Sequence, residues 1–425
     1  MMAISLKKIT FILFATSLLG VYFFSIDIGL FQLSPYRIML IISIILIPKI
    51  KKSTVHGLRN SLNYGYFLFM FLWVLYSIIP LLWVRDFSSW IKIYIFLTSG
   101  LITTWYVGLY FKKKSDIIIA LKITEFMAVI FGGIAVYEII TGDFLFIGSD
   151  NIVHYQEVSQ TYSSIGIRIP ISIFGNPNNY SLFLLFSVFT SFGLSKIKIS
   201  KKGRYMSLIL MLFFIFLLIA TQSRSGFLGL IIGFFAYFLT VLKRRNAKNI
   251  WNFFLIIIIG FLFIIPWLIN NQDIVSPLTS VDFSGNDRVR VNLINNGLHF
   301  LINTLFLGVG LGNIEYHMSH SAIYPTWGIK NIHNWWMEIL VSSGIFIFLY
   351  YLIIYFKNIL RLYRFSSFKC DKDMHYLSAV FFSYLIGFLI ASIGSSSLMN
   401  NEWIWSITAI VMSFINLYTE EHQRS

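Results

Sequence analysis

The chain has 425 residues, 57% hydrophobic and only 12% charged, with a mean hydropathy of +0.75. Soluble domains carry about 25% charged residues, so most of this surface must meet lipid rather than water. The net charge is +15, but the basic residues gather at the ends of apolar spans, which is a membrane pattern and not a nucleic-acid footprint. The single cysteine, Cys370, excludes an internal disulfide framework and a thiolate metal site.

A helix that crosses the hydrocarbon core needs about 20 mostly apolar residues. The first such stretch follows Lys7 and Lys8 and runs to about Leu30. It has the charged start of a signal peptide but no small-residue cleavage site, and it reads as the first membrane helix. Further spans are expected near Ile42, Leu72, Gly100, Ile130, Ser187, Phe214, Gly233, Gly260, Phe348, Leu385 and Ala409. The expected fold is therefore all-α, a polytopic bundle of about 12 transmembrane helices. Residues 1–140 supply the N-terminal helices, and residues 141–425 form the second part.

Orientation follows from the gaps between spans. Lys49 to Arg59, Lys112 to Lys114, Lys196 to Arg204, Lys243 to Lys248 and Lys357 to Lys372 form basic gaps. With both chain ends they place roughly 24 of the 33 basic residues on one side, which the positive-inside bias assigns to the cytoplasm. Both termini are then cytoplasmic, in the cytoplasmic (inner) membrane. Two long gaps fall on the outer side, at about 141–178 and 270–334. The second holds Leu293, Ile294, Leu298, Leu301, Ile302 and Leu305 at helical spacing, an amphipathic helix lying on the bundle or the membrane surface.

The candidate chemistry gathers on that outer side. Arg168, Arg224, Arg288 and Arg290 stand where positive charge is otherwise scarce. A guanidinium suits phosphate through parallel charge-assisted hydrogen bonds. The competing reading for each is a lipid head group or an acid such as Asp287. His333, followed by Asn334 and Glu338, sits where the long loop meets the next span. A histidine there either exchanges a proton with a hydroxyl or serves only as a hydrogen-bonding group.

Other features read as structural. Gly308-Val-Gly-Leu-Gly-Asn313 lacks the strand a dinucleotide cradle requires, so the glycines are a close-packed turn. His317, His320 and Glu315 lack a convincing set of zinc ligands, and no metal or cofactor is expected. Asp371-Lys-Asp373 reads as a solvated loop, whereas Lys122, Glu125 and Glu138, in or near the fifth span, are functional candidates as intramembrane ionisable groups. Lys122 and Glu125 are also spaced to pair within one helical turn. Trp327, Trp335 and Trp336 are candidates for stacking on sugar rings or for anchoring at the membrane interface.

Four segments in order resemble the O-antigen ligase and polymerase superfamily of integral-membrane glycan transferases. They are Arg168 with Phe174-Gly-Asn-Pro-Asn178, Thr221-Gln-Ser-Arg-Ser-Gly226, Arg290 to Gly297 leading into Gly308-Val-Gly310, and His333-Asn334 ahead of Gly344. The resemblance covers about residues 165–350. It implies a polyprenyl-pyrophosphate-linked glycan as donor and a second glycan as acceptor, joined on the outer face without a metal. It assigns Arg224, Arg290 and His333 to catalysis, and it places Arg168, Arg288, Asn178, Asn334 and Glu338 around the substrates. The lipid bilayer, a flippase and a chain-length regulator of the same pathway are the expected partners. Ligases of the family carry a GxxG pair where this chain has Gly344-Ile-Phe-Ile347, which favours a polymerase. Ligation to a lipid or wall acceptor and a lipid-linked oligosaccharide flippase are the alternatives.

Overall fold

A computed structural model describes residues 5–20, 23–27, 32–59, 61–146, 167–197, 200–244, 283–366, 371–395 and 397–424. The expected span around Gly260, most of the first outer gap, the start of the second, and Cys370 lie outside these residues. The described chain is helical apart from a two-residue antiparallel pairing of Ile26 with Leu33 and Asp27 with Gln32.

The N-terminal helices are α1 (Leu6–Leu19), α2 (Pro35–Leu46), α3 (Lys52–Arg59), α4 (Leu62–Tyr76), α5 (Phe87–Tyr110) and α6 (Lys114–Thr141). They are followed by α7 (Pro177–Lys196), α8 (Lys201–Ala220), α9 (Arg224–Arg244), α10 (Phe283–Asn303) and α11 (Ile314–His320). The last three are α12 (Trp335–Phe365), α13 (Lys372–Ala391) and α14 (Glu402–Arg424). Among the described residues, six helical stretches are long and apolar enough to cross a membrane. They are Tyr64–Leu82, α5, α6, α8, α12 and Lys372–Gly394.

A helix that is apolar all round belongs in the middle of a bundle. That is where α7 lies, with Tyr180, Leu182, Leu185, Val188 and Phe189 all fully buried. It packs between α8 and α13, while α14 runs against α5. The closest crossing joins α9 to α13. A Cβ on Gly229 would lie 2.6 Å from the carbonyl oxygen of Gly387, and one on Gly233 would meet Phe189 at the same distance. Small residues at such crossings let two backbones approach where lipid offers no hydrophobic drive. This approach brings the start of α9 beside the end of α13.

The glycines of the 308–313 segment make a second close approach. Gly308 and Gly310 hold φ of +93°, and Gly344, facing them inside α12, holds +79°. Gly344 breaks the helical geometry of α12. The carbonyls of Val341 and Ser342 on the near side of the break accept N–H groups from Val309 at 2.9 Å and Gly310 at 3.0 Å. Ile345 on the far side donates to Phe306 at 3.0 Å. Backbone that leaves a helix inside a membrane must find such partners. Asn313, fully buried, accepts from the N–H groups of Arg85 and Asp86 and donates to the carbonyls of Asp86 and Leu311. The motif is a close-packed turn, as its glycines imply.

At the other end of the bundle the acidic residues depart from expectation. Asp373 is 4% exposed and pairs with Lys114 at 2.8 Å, and Lys114 also reaches Asp371. It is a buried ion-pair partner and not a solvated loop residue. Asp116, also buried, pairs with Lys7 at 2.6 Å. Glu125 takes a hydrogen bond from Ser207 Oγ at 3.3 Å, and no ion pair joins it to Lys122 among the described residues.

The helix expected in the second outer gap is α10, and it has two apolar faces. Leu293, Phe300 and Leu301 are buried, and Leu293 and Phe300 pack with Val309, Ile314 and Ile332. Val291, Leu298 and Ile302 line the opposite, exposed face.

Candidate active site

Three turns meet at the end of the bundle remote from Lys7 and Asp373. The first joins α8 to α9. Thr221 Oγ1 accepts the N–H of Ser223 at 3.3 Å, and Ser223 Oγ accepts the N–H of Gly226 at 3.2 Å. Gln222 takes a left-handed φ of +54° to close the turn. These bonds present Arg224 as the first residue of α9, exposed at the helix N-terminus. Gly226 lies against Ser181 on α7. An anion bound there would meet the guanidinium and the positive end of the helix together.

The second turn opens α7. Asn176 caps the helix by accepting the N–H of Asn178 at 2.8 Å. A Cβ on Gly394, just past α13, would lie 3.9 Å from Asn178 Oδ1 and closer still to Ser225. Asn178 and the Arg224 turn therefore meet at the end of α13.

The third turn precedes α12. Asn334 caps that helix, its Oδ1 accepting from the N–H groups of Trp336 at 3.0 Å and Met337 at 3.2 Å. His333 is held at a left-handed φ of +48°, and its N–H donates to Asn331 Oδ1 at 2.9 Å. Burial, together with the charge of Arg290, pushes the imidazole down to about pKa 4. The ring is thus neutral at physiological pH and able to accept a proton. Of the two arginines near the start of α10, both exposed, Arg290 is the one whose charge lowers the His333 pKa.

The segment between α13 and α14 ties these turns together, and it carries none of the residues singled out from the sequence. The side-chain amide of Asn331 donates to the Ser397 hydroxyl. Glu338 accepts the N–H of Leu398 at 3.1 Å and that of Met399 at 3.5 Å. Ser397 adopts a φ of +47° to make the turn. The only sequence signal is a polar run, Ser395 to Glu402, between two apolar spans. Asn331 and Glu338 border a cleft of about 170 Å³ whose opposite wall is α5.

Other residues singled out from the sequence are engaged structurally. Arg168 donates to the carbonyl of Ile140 at 3.1 Å, beside Gly142 at the end of α6. A cation there satisfies a helix-end carbonyl and complements the helix dipole. Glu138 accepts the N–H groups of Ile171 and Ser172, at 2.9 and 2.8 Å, which fixes the same segment. Trp335 is completely buried and donates to the Tyr351 hydroxyl at 3.2 Å, so the expectation that it stacks on a sugar does not hold. Trp336 is half-buried and donates to the Leu389 carbonyl; Trp327 is exposed. His320 stacks on Tyr316 and His317 lies against Phe300. Among the described residues no three His, Cys, Asp or Glu side chains are grouped to hold a metal.

The arrangement thus offers a neutral, proton-accepting imidazole within the field of one guanidinium. A second guanidinium heads a helix on an adjoining turn. Residues 209–352 match the family described as O-antigen ligase, a stretch that holds Arg224, Arg290 and His333. Over almost its whole length the chain is also similar to the teichuronic acid biosynthesis protein TuaE of Bacillus subtilis (strain 168). The two are 29% identical over 437 residues, covering 98% of this chain and 85% of the relative.

Proposed function

We propose that this multi-pass membrane protein, similar over residues 209–352 to the O-antigen ligase family and over 98% of its length to a teichuronic acid biosynthesis protein, is a glycan polymerase. It joins polyprenyl-pyrophosphate-linked oligosaccharide units, with undecaprenyl as the lipid, into a surface polysaccharide on the outer face of the cytoplasmic membrane. The relative is named for teichuronic acid, and we extend an acidic polymer to this chain on that ground.

The observation that carries the proposal is that His333, its imidazole pKa lowered by burial and by the charge of Arg290, stands at the end of the bundle where Arg224 opens α9. In the reaction an acceptor hydroxyl oxygen attacks the anomeric carbon of the donor. The anomeric carbon–oxygen bond to the pyrophosphate breaks, and the pyrophosphate departs with the electron pair. The hydroxyl proton passes to His333. Negative charge grows on the leaving group, so guanidinium groups aimed at it favour the transition state over the ground state. Arg224 and Arg290 fill that role. The pyrophosphate also offsets the charge of Arg290, which stabilises the imidazolium that forms beside it.

The test is the purified chain in vesicles supplied with a labelled lipid-linked repeat unit. A polymerase gives a ladder of lipid-linked oligomers. Transfer of a single unit to a lipid or wall acceptor, without a ladder, indicates a ligase, and movement across the bilayer without joining indicates a flippase. Either result overturns the proposal.

A further inference from the structure

The cleft beside His333 has a wall that the resemblance to the glycan transferases does not reach. Ser89, Lys92 and Phe96 of α5 face Asn331, Ser397 and Asn400 across it. Its volume is about 170 Å³. A cavity of about 150 Å³ admits a benzene-sized molecule, so this one has room for a single six-membered ring. The lining matches the surface of a pyranose. Hydroxyl and amide groups border it, and Phe96 supplies an apolar side.

Two further observations point to an occupant. The amide oxygen of Asn400 is buried and has no hydrogen-bond partner, an omission that costs free energy unless a ligand donates to it. Lys92 is exposed and takes part in none of the ion pairs among the described residues. The two acids on the cleft are already engaged. Glu315 takes a hydrogen bond from Asn331 at 3.4 Å, and Glu338 takes those of Leu398 and Met399. The one ammonium on the cleft fits a monoanion better than a pyrophosphate, which draws clustered guanidinium groups.

We propose that this cleft is the acceptor subsite and that Lys92 pairs with a carboxylate on the acceptor's terminal sugar. Asn331 links the cleft to the backbone of His333, because the same side chain accepts the His333 backbone N–H through Oδ1 and donates to Ser397 through Nδ2. The subsite rests on the polymerase reading for the word acceptor, but its occupancy can be read without turnover.

The probes are methyl β-glucuronide and methyl β-glucoside, added to the full chain in lipid nanodiscs and followed by saturation-transfer NMR. Wild type should bind the glucuronide at least several-fold more tightly than the glucoside. Lys92→Met should remove that preference and leave glucoside binding unchanged, and Asn400→Leu should weaken both sugars. In vesicles, Lys92→Met should slow coupling to a uronate-terminated acceptor and spare its glucose-terminated counterpart. A glucuronide preference that survives Lys92→Met overturns the proposal. Equal slowing with both acceptors also overturns it, because Lys92 would then serve the pyrophosphate common to both. Lys92-dependent glucuronide binding by a chain that joins no units would leave the subsite standing and remove the polymerase reading.

Discussion

Glu338 on α12 accepts the backbone N–H of Leu398 at 3.1 Å, which ties the helix that follows His333 to the segment between α13 and α14. Glu338→Ala leaves that N–H and the one on Met399 without an acceptor. The expected loss is about 2 kcal/mol of stability, seen as a lower unfolding temperature in detergent. Because residues 397–400 would shift with it, coupling of units should fall further than the stability change alone explains.

The pH dependence follows from His333. Its folded pKa of about 4 lies below the ordinary histidine value, so between roughly pH 4 and 6.5 the unfolded chain binds more protons than the folded one. Stability from this group is complete above that window and is lost as pH falls through it. The imidazole should act as a base down to about pH 5, keeping kcat/KM flat where an ordinary histidine would already have lost it. Arg290→Gln removes one of the two causes of the depression and should move the acid limb upward. A limb that stays in place in this variant would show that the two side chains do not interact.

Gly308 and Gly328 both hold positive φ, at +93° and +84°, but only Gly308 is crowded, with its missing Cβ 2.6 Å from the backbone nitrogen of Gly344. Gly308→Ala should cost about 3 kcal/mol or more and abolish folded protein. Gly328→Ala should cost about 1 kcal/mol from backbone strain alone. Yield and unfolding temperature of the two variants in detergent distinguish these outcomes.

Lys114→Met removes the Lys114 ion pair from buried Asp373. The expected loss is about 3 kcal/mol, and Asp373→Asn in the same chain should recover much of it. A simple additive loss in the double variant would mean that the pair contributes nothing.

Hydropathy located helices, because the expected span centres fall in helices wherever the chain is described. Only six of the described stretches, however, are long and apolar enough to cross a membrane, and the first helix ends at Leu19. Lipid imposes a length and composition that no soluble core demands. The 308–313 glycines were also legible, since a close backbone approach requires particular residues, whereas the capping of α12 by Asn334 was not read from the sequence. Neither was the polar run from Ser395 to Glu402. Its Ser397 and Leu398 act through a hydroxyl and a backbone N–H, which leave no charge or motif to read. Asp373 was misread for a related reason, because its partner Lys114 lies far away in sequence. Arg168 shows the converse, a conspicuous outer arginine that the fold uses to cap α6.

The central claim is that Arg224, Arg290 and His333 act together on a lipid-linked glycan. It is tested most directly by polymer length on gels from cells carrying Arg224→Ala, Arg290→Ala or His333→Ala at matched expression, with Lys330→Ala as a nearby charge control. Each of the three should cut joining by roughly a hundredfold and leave single lipid-linked units on the outer face, while the control makes full-length chains. Full-length polymer from all three variants would contradict the account.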